Sequence, residues 1–547
     1  MVAQRGEVLE TPVLIVGGGP VGLAVALDLA KRGLRSTLVE KDAGTALELL
    51  AKAGTLNERT MEYARWLGIA DAIANAGFPD DHPRDTVFCT ALNGFVLGRD
   101  PMPSTNERVP PWQTPEMLRK CPQHLFDPLL ADAVRAYGLT DIRYNTTFES
   151  LSQSPDSVTA QLVDRGSGET LTVRCQYLIG CDGAGSAVRR DVGIGFEGKD
   201  LDYSVSAMIR VENLDSYHRL GRGERYLFVG TEGTWANLTA VDGRSLYRFT
   251  MVGSEEKLNP ANLDIAGLVN RAVGRDDVPI EIVRVLPWRR SQYAAAQFRR
   301  GRVLLAGDSA HTTSPTGGHG LNTGLGDVMD LGWMLEALLH GWGGELLLEA
   351  YSLERRTVAI RNSSSSTRNY ATWVQTTGRD RVLEDSPEGA AQREAIGKQM
   401  TASLRGEWHS LGVGLGYRYD QSPIVVSDGT PPTPDETTEY IPTARPGHRA
   451  PHAWLEDGRS TIDLFGDSFT LLRLGGDPPE VAALVDAARS VQMPLRVETI
   501  VADDVAKLYE RALVLVRPDG MVAWRADELP ADPARLIDIV RGMDGPR

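Results

Sequence analysis

The chain has 547 residues, too many for one hydrophobic core and enough for two or three domains, and its 42% hydrophobic and 24% charged composition is that of a globular protein. A formal net charge of −15, with no basic stripe interleaved with aromatics, argues against a nucleic-acid partner. The start MVAQRGEVLETPV lacks a basic and then apolar leader, and no apolar run approaches the roughly 18 residues of a membrane helix. A cytoplasmic protein with no membrane span is expected.

In chain order, PVLIV (residues 12–16) reads as a buried parallel strand and runs into GGGPVG. Gly17, Gly19 and Gly22 have the G-x-G-x-x-G spacing, Pro20 opens an apolar helix that Gly33 ends, and STLVE forms a second strand closing at Glu40. The first glycine allows a tight turn, the second lets backbone approach a pyrophosphate, and the third lets helix and strand pack closely. The free amides of the helix start favour the phosphates, and an acid at the end of the second strand suits a ribose. Dinucleotide binding is expected, with NAD and FAD both open at this point.

Residues 80–110 show no clear period. Cys89, Cys121, Cys175 and Cys181 include no CxxC pair, so they are expected to be structural thiols, and a disulfide oxidoreductase is excluded. QYLIGCDGAGSAVRR (176–190) is a strand that ends at Asp182-Gly183 before a helix. RYLFVG, TWANLTAV and SLYRFTMV alternate like strands, with Gly230, Gly233 and Gly243 as turns. They predict a sheet over the cofactor whose inner face lines the substrate cavity. Tyr226, Trp235, Asn237 and Tyr247 are candidates for that face, because alternation alone does not say which parity points inward.

The segment LLAGDSAHTTSPTGGHGLNTG (304–324) repeats the strand-then-acid pattern at Asp308 and passes through small residues into a helix with apolar positions Leu325, Val328, Leu335 and Leu339. An acid at the carboxyl end of a parallel strand lies where open α/β sheets bind ligands. His311 and His319 are expected to pack or to support the site residues from behind, without a catalytic role of their own. Ser309 lacks a G-x-S-x-G elbow, which removes a hydrolase reading. His448 and His452, in RPGHRAPH, lack a cysteine or acidic cluster to complete a zinc set, so no metal site is expected and both should lie at the surface or an interface. TPPTPDETTEY (430–440) reads as a linker, and ALVLVRPDGMVAWRA as a hairpin on a Pro-Asp-Gly turn.

GGGPVG, then GCDGAGSAVRR, then RVLLAGDSAH with PTGGHGLNTG, in this order, resemble the three fingerprints of the class A flavoprotein aromatic hydroxylases. The branch resembled is that of phenol, chlorophenol and polyketide hydroxylases, and residues 446–547 resemble its C-terminal domain. The implied fold class is α/β: a Rossmann-like FAD-binding domain (1–80, 111–190 and 295–375), an inserted β-sheet substrate-binding domain (81–110 and 191–294), a helical linker region (376–445) and a thioredoxin-like C-terminal domain (446–547). Without a CxxC, the last domain is assigned to structure or subunit contact.

The resemblance further implies that Gly17, Gly19, Pro20 and Gly22 cradle the FAD pyrophosphate, with Glu40 on the adenosine ribose and Lys41 nearby. Gln123 would contact the flavin and Asp308 the ribityl chain. Pro315 would lie near the reactive edge, and the backbone of Gly318, Gly320, Leu321 and Asn322 would face the pyrimidine end. Asp182 and Gly183 would serve both FAD and NAD(P)H. Lys52 stands where many relatives carry an arginine, which keeps charge but loses a bidentate fork, and Ser314-Pro315 replaces a common Pro-Pro. The implied function is hydroxylation of a phenolic substrate by FAD, NADPH or NADH, and O2 through a flavin C4a-hydroperoxide, in a chain compatible with a homodimer. A hydroxylase of polycyclic polyketides, a Baeyer-Villiger-like oxygenase and a non-catalytic flavin sensor are the alternatives.

Overall fold

A computed structural model of the chain describes residues 8–44, 53–373 and 378–545. The strand Val8–Val16 pairs in parallel with Thr170–Gly180 on one side and Ser36–Val39 on the other. Thr170–Gly180 in turn pairs with Val303–Leu305. Val16 lies opposite Gly180, and Gly180 opposite Leu305. The register therefore brings Gly17, Asp182 and Asp308 to one carboxyl edge of the sheet from three distant parts of the chain. Val13, Leu14, Ile15, Leu178, Ile179 and Leu304 are fully buried, which explains why these strands read as continuous apolar runs.

A second, mostly antiparallel sheet runs in the order His311–Thr312, Glu281–Ala295, Phe196–Arg210, Leu246–Ser254, Gly233–Ala240, Arg225–Gly230, Thr86–Cys89 and Val96–Asp100. Its outer edge comes from the stretch without sequence period. All four residues of Thr86–Cys89 are buried, so no polar face marks the strand. The helix Pro387–Trp408 covers this edge so closely that a Cβ on Gly397 would stand 1.7 Å from the Leu97 carbonyl oxygen.

The C-terminal domain has the thioredoxin-like order Leu495–Ile500, Phe469–Leu474, Leu513–Val516, Val522–Ala526, with the first pair parallel and the others antiparallel. Two expectations near its entrance need correction. TPPTPDETTEY has no regular structure, yet it is a strap and not a free linker: Arg361 pairs with Asp435 at 2.7 Å, and a Cβ on Gly412 would meet the Glu436 carbonyl oxygen at 2.2 Å. His448 and His452 are buried and not at the surface, because their segment is laid along the hairpin by the bridges Arg418 to His448 and Arg449 to Met521. Burial first, and then Arg445, push the His448 pKa down to about 4.

The hairpin turn enters the flavin-motif domain through a buried ionic network. Arg517 binds both Glu354 oxygens at 2.6 and 2.9 Å and Asp519 at 2.5 Å, and Trp333 Nε1 donates to Asp519 at 2.8 Å. Arg355 donates to Asp327 and to the Tyr419 hydroxyl, each at 2.9 Å, and that hydroxyl donates to Asp330 at 2.5 Å. Burial, with Asp519 and Glu354 adding to it against the opposing Arg355, pushes Asp330 up to about 8.

The folded chain thus keeps a proton that the unfolded chain releases above the ordinary aspartate range near 4. Asp330 therefore contributes a loss of stability with rising pH across the window from about 4 to 8, of at most about 1.4 kcal/mol per pH unit. Asp330→Asn should therefore gain on the natural chain as pH rises from 5 to 8 in denaturant unfolding. Parallel pH profiles for the two proteins would mean that Asp330 does not hold the proton.

Candidate active site

Three glycine-bearing turns meet at the carboxyl edge of the first sheet. Gly17 leaves its strand at φ +111, and a Cβ there would stand 2.4 Å from the Cys181 carbonyl oxygen. A Cβ on Gly22 would stand 1.9 Å from the Gly17 carbonyl oxygen. Close backbone approach therefore demands glycine at both positions. Gly19 is different, since nothing among the described residues lies within 4 Å of an added Cβ. It is the N-cap of the helix Pro20–Lys31, and no side chain caps that helix. An open glycine before uncapped amides is a cradle an anion can fill.

Glu40 holds this turn, accepting from the Gly18 amide at 2.6 Å and the Asp42 amide at 2.9 Å. Lys41 is exposed, and Lys52 lies outside the described residues. Asp182 accepts from the Ser186 hydroxyl at 2.5 Å and the Ala187 amide at 2.7 Å, so its carboxylate shapes the second turn. Asp308, in contrast, is exposed between buried Gly307 and Ser309. The Gly307 amide is fixed by Asp327 at 3.0 Å, and the other contact of the same carboxylate oxygen is His311 at 2.9 Å. Gln123 opens the helix Gln123–Tyr137 and donates to Asp127 at 3.1 Å.

In the third motif Pro315 and Gly318 are exposed, while Ser314, Thr316 and His319 are buried. Gly317 and Gly318 turn at φ +94 and +67 into the helix His319–Leu339, again with no side-chain cap at Gly318. Gly320 and Leu321 are half-buried in its first turn. The Asn322 side chain is fully engaged, with Asn57 and Thr60 donating to it and Thr55 and Gly318 accepting from it. Only its main chain is left for a ligand.

The second sheet faces this loop with one parity of its strands. Arg225 lies opposite Thr239, and Thr239 opposite Arg248; two residues further along each strand, Leu227, Asn237 and Thr250 align. Arg225 binds Glu407 at 2.6 Å, and Glu407 accepts from the Gly317 amide at 3.3 Å, which ties this face to the loop. Asn237 is therefore on the loop side. Tyr226, Trp235 and Tyr247 are not: Tyr226 and Tyr247 have the other parity, Trp235 is turned to their face by a bulge opposite Phe228 and Val229, and all three pack with Phe228, Phe249, Ile265 and Val269 beneath the helix Ile265–Val273. The Tyr226 and Tyr247 hydroxyls are spent on the carbonyls of Gly221 and Arg244.

Sequence reasoning missed the charges on the loop side. Arg290 donates to Ser314 at 2.9 Å and Thr316 at 3.3 Å and pairs with Asp202. Arg84 and Lys120 each reach Glu224 at 2.6 Å and, despite burial, hold its carboxyl well below the usual range. Burial first, and then Arg225, push Arg248 down to about 10. The signal was present in RYLFVG and SLYRFTMV, where Arg225 and Arg248 share the parity of Asn237. A charge inside an otherwise apolar strand marks the face with polar business.

Comparison with known proteins decides what the geometry serves. Residues 10–366 match the family model of the FAD binding domain, and residues 443–545 that of the aromatic-ring hydroxylase C-terminal domain. The chain belongs to the FAD-dependent aromatic-ring hydroxylases. It is 31% identical to phenol 2-monooxygenase of Pseudomonas sp. (strain EST1001), covering 98% of this chain and 93% of that one. It is also 31% identical to the tetracenomycin A2 monooxygenase-dioxygenase of Streptomyces glaucescens, covering 96% and 95%. A solved structure of RebC, soaked with chromopyrrolic acid and holding 7-carboxy-K252c, superposes with a TM-score of 0.91 at 39% identity over 98% of this chain and all of that one.

This hydroxylase is thus a class A flavoprotein monooxygenase, and its cofactor is FAD. The residues present fit that group, with an open cradle at Gly19, an exposed acid at Asp308 and an uncapped helix start behind Gly318. Among the described residues no helix is long and apolar enough to cross a membrane.

Proposed function

We propose that the enzyme hydroxylates an aromatic substrate bearing an acidic group, of the polyketide type, between the loop at Ser314–Gly318 and the loop-side face of the second sheet. Bound FAD, reduced by NADPH or NADH, supplies the activation of O2. Gly17, Gly19, Pro20 and Gly22 hold its pyrophosphate, and Glu40 its ribose. Asp308 takes the ribityl hydroxyls, while Asp182 and Gln123 shape the surrounding turns. The main chain of Gly320, Leu321 and Asn322 takes the pyrimidine edge, and Pro315 lines the reacting side. Asn237 and Arg248 face the substrate.

One observation carries the acidic group. Arg84, Arg108, Lys120, Arg225 and Arg290 outnumber Glu58, Glu224, Glu407 and Asp202 in one region largely removed from water. Excess positive charge away from water is compensated best by an anion on the ligand. The acid carried by the ligands of RebC supports the same chemistry. A bare phenol bound as its anion is the second reading, favoured by the likeness to phenol 2-monooxygenase.

Affinity for an aromatic acid and for its methyl ester separates the two. The acid should bind at least about tenfold more tightly at pH 7. Arg248→Met should remove that preference and lower kcat/KM on the acid by about 10- to 150-fold, the equivalent of the roughly 1.5–3 kcal/mol of a hydrogen bond to a charged group. Equal affinity for acid and ester would return the substrate to a bare phenol.

A further inference from the structure

A buried polar atom with no partner carries a cost, and it persists in a fold where something else satisfies it. Among the described residues His319 Nε2 is such an atom, on a residue only 3% exposed. The residue is firmly held: its carbonyl accepts from the Thr323 hydroxyl at 2.8 Å, and that hydroxyl accepts from Asn362 Nδ2 at 3.0 Å. Nε2 lies against the glycine loop, since a Cβ on Gly317 would stand 2.7 Å from it. His319 also lines a cavity of about 20 Å³, room for one water, together with Asn57, Thr323, Arg355 and Asn362.

The orphan is not isolated. Thr313 Oγ1 in the same loop is buried without a partner, and so are Ser366 Oγ and Asn369 Nδ2 on the helix Leu346–Trp373. That helix is tied to the loop region through Asn362 to Thr323 and through Trp373 to Glu407. At the loop itself the unmet polar atoms are His319 Nε2, beside Gly317, and Thr313 Oγ1, on the residue whose methyl a Cβ on Gly320 would meet at 3.3 Å. Burial and then Arg361 push the imidazole pKa down to about 4. The ring is neutral at working pH, with one nitrogen to donate and one to accept.

We propose that His319 Nε2 is a hydrogen-bonding contact of the protein with the bound flavin ring, made only when the cofactor is in place. The proposal rests on the assignment of FAD to this site. It gives His319 a role in holding the cofactor, in place of the packing role its sequence context suggests. It also predicts opposite effects of one substitution on the two forms of the protein, which a purely structural residue does not show.

The test uses the full-length protein, purified with FAD and then stripped of it. His319→Phe removes the orphan and keeps the bulk, so the stripped variant should unfold at the same temperature as the natural chain or higher. Its FAD dissociation constant should rise about tenfold or more. His319→Gln retains a polar end and should stay within about threefold of the natural value. Should the phenylalanine variant not fold, His319→Met against His319→Gln makes the same comparison. Phenylalanine or methionine variants that bind FAD as tightly as the natural chain, or lose thermal stability without FAD, would overturn the proposal. Failure of the natural chain to bind FAD would instead remove the cofactor assignment.

Discussion

Gly22→Ala should give a protein that emerges from gel filtration without flavin, while Gly19→Ala should give one that is equally colourless but as heat-stable as the natural chain stripped of FAD. The two glycines stand three residues apart and fail for different reasons. The Cβ of the first variant would stand 1.9 Å from the Gly17 carbonyl oxygen, so strand and helix must separate and both stability and cofactor are lost. The Cβ of the second meets nothing within 4 Å among the described residues, and would intrude on the space that the proposed site gives the pyrophosphate. For either variant we expect FAD to bind at least about 100-fold more weakly, near 2.7 kcal/mol. Flavin-to-protein absorbance ratios and thermal unfolding by circular dichroism read the two effects separately. Full flavin content in Gly19→Ala after dialysis would place the pyrophosphate elsewhere.

Arg517→Met should destabilise the enzyme by about 3–5 kcal/mol, the range for removing one member of a buried ion pair. The side chain is fully buried, and its loss strands Glu354 and Asp519 as uncompensated carboxylates against Trp333. The damage should spread toward the cofactor. Glu354 neighbours Arg355 on one helix, and Arg355 holds Asp327, which fixes the Gly307 amide beside Asp308. FAD retention should therefore fall together with the denaturant midpoint. Adding Glu354→Gln should recover part of the loss, because it removes a stranded charge. An unchanged midpoint in Arg517→Met would show that the C-terminal hairpin is docked by its apolar contacts alone. The network also shows why this domain, without any redox pair, is part of the enzyme: its Arg-Pro-Asp-Gly turn completes the charge balance behind the flavin motif.

How legible this enzyme was in its sequence can be followed element by element. The glycines of GGGPVG and the acid after RVLLAG could be read because each is demanded locally, by a turn, a close approach or a strand end. The hairpin on Pro-Asp-Gly was visible for the same reason. Thr86–Cys89 left no trace, since burial on both faces erases the period that would betray a strand. The strap at 430–440 looked like a linker because irregular backbone held by distant partners has the composition of irregular backbone that is free.

The dinucleotide motif and the glycines and acid of each fingerprint were legible because they depend on residues near one another in the chain, and the class of reaction followed from the resemblance that the three motifs carry in their order. Only the tertiary structure decided which parity of the substrate sheet faces the flavin loop, placing Asn237 and Arg248 inward and Tyr226, Trp235 and Tyr247 beneath a helix. Only it showed that His319 Nε2 is buried without a partner among the described residues and that Arg517 and Glu354, 163 residues apart, neutralise each other. The physical reason is common to all three. A strand's alternation states that two faces differ but not which neighbour each will meet, and a charge's partner is chosen by folding, since Coulomb interaction depends on distance in space and not on separation along the chain.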